Sequence, residues 1–346
     1  MASFREMFFT PAEFANIAKV ERSAISTLET EGLLKTTKRK MGNVDRKMIA
    51  LEDMQNYFRA ISGRHGDPAD IAETTDASVA AATAPGAGAE NARVAMRHKT
   101  QMFYNVKGGT GKSTLTAQSV MRAAMMGLDV LALDLDGQGH LTVNLDILDA
   151  HERPTIYDVL INDLPIDQAI MNVAPGLDLI PGNLGLCNIE IPLNQKPRRE
   201  YRLSEAIAKI ADRYDLIVAD TNPAASILNS SMLVSANLVN IVCATNPLSF
   251  HGMSLVMATI EEMEREFRRE LDVKIIPNMY DNREVISQEV LGELRSQFPE
   301  YCTKAVVNRS ADLNEATKRR TTVWDVNSKG VAANDINTLT EELVHG

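Results

Sequence analysis

The run Lys107-Gly108-Gly109-Thr110-Gly111-Lys112-Ser113-Thr114 constrains this chain more than any other segment. It follows a short apolar stretch, Met102 to Val106, and precedes a helix-like stretch, Leu115 to Met126. Strand, glycine-rich turn and helix in that order point successive backbone N–H groups into one concavity. The helix N-terminus adds partial positive charge there, so the concavity suits a phosphate. In such a loop Lys112 reaches the β- and γ-phosphates and the Ser113 hydroxyl binds Mg²⁺. The usual pattern has a glycine six positions before that lysine. Here Val106 holds that position, and a second lysine, Lys107, stands at the mouth of the loop.

KGGTGKST resembles the deviant P-loop of the ParA/MinD ATPases. The resemblance implies that Gly108, Gly109, Thr110, Gly111, Lys112, Ser113 and Thr114 hold ATP or ADP with Mg²⁺. It implies that Lys107 crosses a dimer interface to the partner's nucleotide, as a binding and catalytic cation. Downstream, an apolar run ends in Asp134-Leu135-Asp136-Gly137-Gln138-Gly139-His140. From the residues alone this is either a metal- and water-positioning loop or a solvated acidic turn. It looks like the family's second ATPase motif, DxDPQGN, with Gly137 for proline and His140 for asparagine. The match implies that Asp136 orients or activates the attacking water and that Asp134 supports the metal.

Tyr214 to Asp220 is an apolar strand ending in an acid, the Walker-B form, in which Asp220 reaches Mg²⁺ through a water. Thr221-Asn222-Pro223 resembles the family's DxPP turn. Ile275 to Asp281 looks like the family's strand end near the adenine, which implies that Asn278 reads the base; a plain turn residue is the alternative. Ser310 to Ala316 resembles a family helix start, with Ser310 as N-cap. The resemblance spans roughly residues 99–343.

At 346 residues the chain is long enough for two domains. Residues 98–346 alternate β-like and helical runs, with strand candidates at 102–106, 128–134, 177–181, 215–220, 238–243, 272–278 and 304–308. That alternation predicts a doubly wound, mostly parallel α/β sheet with ligands at the strands' carboxyl ends. Residues 62–97 are rich in Ala, Gly and Thr and read as a flexible linker. Cys187, Cys243 and Cys302 are far apart, without metal-ligand spacing. No stretch is apolar enough to span a bilayer, and the first residues lack a signal-peptide pattern. A cytoplasmic, nucleoid-associated protein is expected, with no membrane partner.

Residues 1–61 form a small helical module. Thr10-Pro11-Ala12-Glu13 is a capping box, and Phe14, Ile17 and Ala18 make a buried stripe. A second helix is expected over 22–31, with Ile25 and Leu28 inward and Gly32 as its stop. Its exposed face carries Arg22, Ser23, Ser26 and Thr27. Leu33 to Ile49 reads as a hairpin turning at Gly42-Asn43, with Lys38, Arg39 and Lys40 exposed, and Leu51 to Ile61 as a closing helix. The module resembles a MerR-type winged helix-turn-helix. A dimerisation arm with a solvated basic loop is the other reading. Net charge is −10, so DNA contact must be local. The wing and the cluster Lys318-Arg319-Arg320 are the places for it.

Together these features resemble a large partition ATPase. That implies an ATP-bound homodimer on non-specific DNA, hydrolysis stimulated by a centromere-binding partition protein, and repression at a specific operator. A nucleotide-sensing transcriptional repressor, or an ATPase that positions another cargo, is the alternative. A MinD-like membrane ATPase needs a basic amphipathic C-terminal helix, whereas this sequence ends acidic. An iron-sulfur reductase needs paired cluster cysteines.

Overall fold

The computed structural model describes residues 4–41, 44–62, 99–224 and 226–345. The expected linker, residues 62–97, lies outside the described residues except at Ser62, as does the expected turn Gly42-Asn43.

The first module runs β1 (Phe8–Phe9), α1 (Pro11–Ala18), a single 3₁₀ turn (Arg22–Ala24), α2 (Ile25–Thr30), β2 (Thr37–Met41), β3 (Val44–Ala50) and α3 (Leu51–Ile61). The start of α1 follows from its sequence. Glu13 N–H donates to Thr10 Oγ1 at 3.3 Å, Thr10 N–H donates to the Glu13 carboxylate at 2.7 Å, and Pro11 needs no partner in the first turn. Phe14, Ile17, Ala18, Ile25 and Leu28 are buried, as their spacing predicts. The second helix is shorter than the expected 22–31. No side chain caps its start, and its first residues tighten into the 3₁₀ turn. Gly32, at φ +73°, ends it. β2 and β3 form the expected antiparallel hairpin, with Lys38 opposite Lys47, Arg39 opposite Arg46 and Lys40 opposite Asp45.

The second unit is a seven-stranded sheet of β4 (Thr100–Tyr104), β5 (Val130–Leu135), β6 (Met171–Ala174), β7 (Leu177–Ile180), β8 (Leu216–Thr221), β9 (Leu238–Ala244) and β10 (Asp272–Asn278). Its order is β10-β9-β4-β8-β5-β7-β6. Every pair is parallel except β6 with β7. β4, β5, β8 and β9 are buried at every position, because helices cover both faces. On one face lie α4 (Lys112–Met125) and the helix Val331–His345. On the other lie Ile156–Ile161, Arg202–Ala208, Ile227–Ser235, Met253–Phe267 and Val285–Gln297. β4 has β9 on one side and β8 on the other, so the chain winds both ways from it and the phosphate loop sits at the switch point.

One strand was not expected, and one expected strand is absent. Met171–Ala174 is an edge strand of four residues, too short to announce itself in the sequence. Residues 304–308 are not a strand. The stretch from Cys302 to Asn308 runs beside β10 and the residues after it with isolated bridges only, at Ile275 with Cys302 and Tyr280 with Asn308. Pro277 explains the break: it accepts from Val307 N–H at 2.9 Å but has no N–H to return. The Glu342 carboxylate instead accepts from Lys304 and Ala305 N–H, each at 3.0 Å.

The two units share one apolar cluster. Phe14, Ile17, Leu51 and Met54 of the first pack in the same core as Val120, Met121, Leu339 and Leu343 of the second. Among the described residues no helix is long and apolar enough to cross a membrane.

Candidate functional site

The loop between β4 and α4 begins with an Asn105 turn. Its Oδ1 accepts from Lys107 N–H at 2.9 Å, and its Nδ2 donates to Val242 O at 2.6 Å, anchoring the exit from β4 to β9. Gly109 and Gly111 take φ +75° and +86°, which L side chains rarely adopt. A Cβ at Gly111 would lie 2.4 Å from the Asn278 amide nitrogen, so the position excludes a side chain twice over. Gly111 caps α4 without any side-chain hydrogen bond. The first N–H groups of this helix therefore point into the loop, available to an anion. Ser113 and Thr114 lie half-buried at its start.

Lys112 is buried. Its ammonium donates to Asp220 Oδ1 at 3.2 Å and makes a short hydrogen bond to the Thr221 carbonyl. Asp134 and Asp220 are direct neighbours across the β5–β8 pair, and both are fully buried. Burial first, then the Asp220 carboxylate, pushes the Asp134 carboxyl up from its ordinary range. Burial also pushes Asp220 up, while the Lys112 ammonium and a hydrogen bond from Ser113 pull the other way. Of these two, Asp220 is the one paired with the Lys112 ammonium. Asp220 Oδ2 is buried and has no hydrogen-bond partner among the described residues. That orphaned oxygen, beside the Ser113 hydroxyl, fits a hard divalent cation such as Mg²⁺.

Asp134 is not a free ligand. Oδ1 accepts from Asp136 N–H at 3.2 Å, and Oδ2 accepts from Thr142 N–H at 2.8 Å and from Thr142 Oγ1 at 2.7 Å. It shapes the loop behind the metal position. Asp136 is 8% exposed, enough for a water to reach it. Its Oδ1 accepts from Gln138 N–H at 3.0 Å.

Two of the departures from the family motif, at Gly137 and Asn222, sit in constrained surroundings. A Cβ at Gly137 would lie 2.4 Å from Cys187 Sγ, so no proline fits there. Where the family has a proline, Asn222 is pinned by Asn229, whose Nδ2 donates to Asn222 O and Oδ1, both at 3.0 Å.

Asn278 is buried at the loop, but its amide donates to Thr110 O at 2.7 Å. It braces the phosphate loop. Lys107 is half-buried, with its ammonium 3.5 Å from Ser249 Oγ. Sequence reasoning missed Asn105, Thr142, Ser249 and Asn229. Thr142 had the clearest signal, as a hydroxyl eight residues after Asp134 in the same motif.

The basic residues divide. Arg22, Ser23, Ser26, Thr27, Lys38, Arg39 and Lys40 are all exposed on the first module, well away from the phosphate loop in the chain. Arg39 stacks on the Phe8 ring at 3.8 Å. Lys38 and Lys40 have no carboxylate partner among the described residues. In the second cluster each cation meets an acid: Lys318 with Glu315 at 4.0 Å, Arg319 with Asp325 at 2.5 Å, and Arg320 with Asp146 at 3.6 Å.

A sequence-family profile described as "AAA domain" matches residues 98–273. The chain is 32% identical over 251 residues to the cell division protein PomZ of Myxococcus xanthus, an alignment covering 71% of this chain and 78% of that protein. It is 32% identical over 216 residues to the chromosome partitioning protein ParA of Caulobacter vibrioides, covering 61% of this chain and 81% of that one. Among solved structures, a putative plasmid partition protein from Borrelia burgdorferi bound to AMPPNP superposes with a TM-score of 0.61 at 20% identity. It covers 71% of this chain and 98% of its own.

Proposed function

This chain belongs to the ParA-type branch of the ParA/MinD P-loop ATPases, and from that premise we propose that it is an ATP-dependent partition protein for a plasmid or chromosome. The observation that carries the proposal is the two-lysine phosphate loop facing the orphaned Asp220 oxygen. ATP lies along Gly108–Thr114, with Lys112 exchanging its Asp220 and Thr221 contacts for the β- and γ-phosphates. Ser113 and Asp220 hold Mg²⁺, which offsets phosphate charge when bound. Asp136 orients and deprotonates the attacking water through the oxygen that Gln138 leaves free. Lys107, loosely held at Ser249, leaves that contact and crosses to a second protomer's nucleotide, where two triphosphates would otherwise repel.

The ATP-bound dimer holds DNA without sequence preference and releases it on slow hydrolysis, which a centromere-binding partner stimulates. The first module acts as a winged helix-turn-helix at an operator, through Arg22, Ser23, Ser26 and Thr27 and the wing residues Lys38, Arg39 and Lys40. Like charges opposite one another in the hairpin cost it stability. They make sense against a polyanion. In the second cluster Lys318 has the most distant acid partner, at 4.0 Å, and is the cation most available for the non-specific contact, with Arg319 and Arg320 behind it. Packing of the first module on α4 favours a second reading, a nucleotide-sensing repressor.

The test is Asp136→Ala. It should bind ATP at parental affinity, lose turnover, and accumulate a dimer that retains random duplex in the presence of ATP. Parental turnover would remove Asp136 from the chemistry. A trapped variant that holds operator but ignores random duplex would select the repressor.

A further inference from the structure

We propose that Thr142 is a positioning residue for hydrolysis, the joint that fixes the Asp136 loop against the strand ends. Resting on the reading of Asp136 given above, it adds a residue that the motif comparison does not assign. Thr142 lies just inside the helix His140–Asn144 and is 1% exposed. A hydroxyl has one proton to give and lone pairs to receive. Here both roles are used. Oγ1 donates to Asp134 Oδ2 at 2.7 Å and accepts from Gly182 N–H at 2.9 Å, while Thr142 N–H donates to the same Asp134 oxygen at 2.8 Å. One side chain thus ties together the end of β5, the helix that follows the acidic loop, and the segment leaving β7.

Asp136 lies within the segment this joint closes. The loop is drawn tight on three sides. Asp136 N–H donates to Asp134 Oδ1, and Gly139 N–H donates to Asp136 O at 2.9 Å. A Cβ at Gly182 would lie 2.7 Å from both Asp134 Cγ and Asp136 O, and one at Gly139 would lie 2.8 Å from Gly182 O. The β7 segment therefore packs backbone to backbone on the catalytic loop, and the Thr142 hydroxyl is the polar link between them. Without it, Gly182 N–H and Asp134 Oδ2 each lose a partner, and the loop carrying Asp136 is free to drift. A displacement near 1 Å is enough to cost turnover while leaving the phosphate cradle, which is a separate segment, in place.

The experiment compares Thr142→Val, Thr142→Ser and Asp136→Ala with the parent. Amide hydrogen exchange is read on the nucleotide-free protein; ATP affinity and kcat are read separately. Thr142→Val should speed exchange at Asp136, Gln138 and Gly139. It should lower kcat by about tenfold to a hundredfold, the range for a group that orients a reactive one, with ATP affinity within about twofold of the parent. Thr142→Ser, which keeps the hydroxyl, should restore both. If valine does not fold, Thr142→Ala is read in its place. Parental exchange and kcat in the valine or alanine variant overturn the proposal. So does a serine variant that fails to restore them, or a loss of ATP affinity equal to the loss of kcat. Parental turnover in Asp136→Ala sinks the reading of Asp136 instead. The exchange data then still decide whether Thr142 holds the loop.

Discussion

Helix α4 ends in a left-handed glycine on both sides, and the two ends are built for opposite purposes. At the phosphate end, Gly111 leaves the first N–H groups without a cap, and buried carboxylate oxygen goes unmatched nearby. At the far end the carbonyls of Arg122, Ala123 and Ala124 all have partners. Gly127, at φ +80°, makes a full Schellman turn: its N–H donates to Ala124 O at 2.9 Å, and Leu128 N–H donates to Ala123 O at 3.3 Å. The first module then adds its own partners. Gln55 Nε2 donates to Ala124 O at 3.0 Å, and Arg59 donates to Gly127 O at 3.0 Å and to Asp129 at 2.9 Å. Open helix N–H groups mark the end that awaits a ligand, and paired backbone carbonyls mark the end that holds the protein together, although the Gln55 and Arg122 side chains keep atoms there without a partner among the described residues. Glycine alone tells neither from the other.

Substitutions at the two ends should separate binding from stability. The largest effect is expected from Lys112→Ala, which should weaken ATP binding by about 100-fold or more, as loss of a buried charged partner costs about 3 kcal/mol. Its melting temperature should also fall, because Asp220 loses its buried ammonium, so affinity is the reading that separates the two ends; unchanged affinity by titration would break the contrast at its reactive end. Next is Gly127→Ala, which adds an unfavourable backbone conformation to a Cβ 2.8 Å from Gln55 O. It should destabilise the protein by about 2 kcal/mol in chemical denaturation, with ATP affinity retained. Parental stability would show that the far end is not closed as described.

The smallest effect is the most diagnostic. Arg122 lies on α4 near that closed end, 1% exposed, with burial lowering its pKa to about 10. Nη2 donates to Ile17 O at 3.3 Å, and Glu341 lies 3.7 Å away, but Nε and Nη1 have no partner among the described residues. Glu341 keeps Lys19 at 2.6 Å if Arg122 is removed. Arg122→Met should therefore stabilise by about 1 kcal/mol, since a buried charge so poorly matched does not recover its desolvation. A lower melting temperature would mean that the guanidinium holds the first module in place.

Much of the proposed nucleotide site was legible because its signals are local. The lysines, glycines and hydroxyls of the loop are contiguous, and the apolar runs ending in Asp134 and Asp220 announce buried strands. What stayed hidden depends on residues distant in sequence. Nothing near Gln55 or Arg59 points to Ala124 or Gly127. The use of both Asp134 oxygens by Thr142 and Asp136 needs the loop folded, and the turn of Asn278 towards Thr110 needs β10 beside the phosphate loop. Residues 304–308 look like a strand until Pro277 is placed on the neighbouring edge. The cluster at Lys318-Arg319-Arg320 looks as basic as the β2–β3 hairpin. Its charge is met by Glu315, Asp325 and Asp146, which counting lysines and arginines does not reveal. The capping box at Thr10 was readable because both partners lie within one turn.

The apolar cluster that runs from Phe14 and Met54 through Val120 to Leu343 should make the small module and the sheet melt as one unit rather than two. Such a joint also limits inheritance. A lineage that discards the amino-terminal module must repaint the face of α4 with polar residues, or carry a sticky surface into a crowded cell.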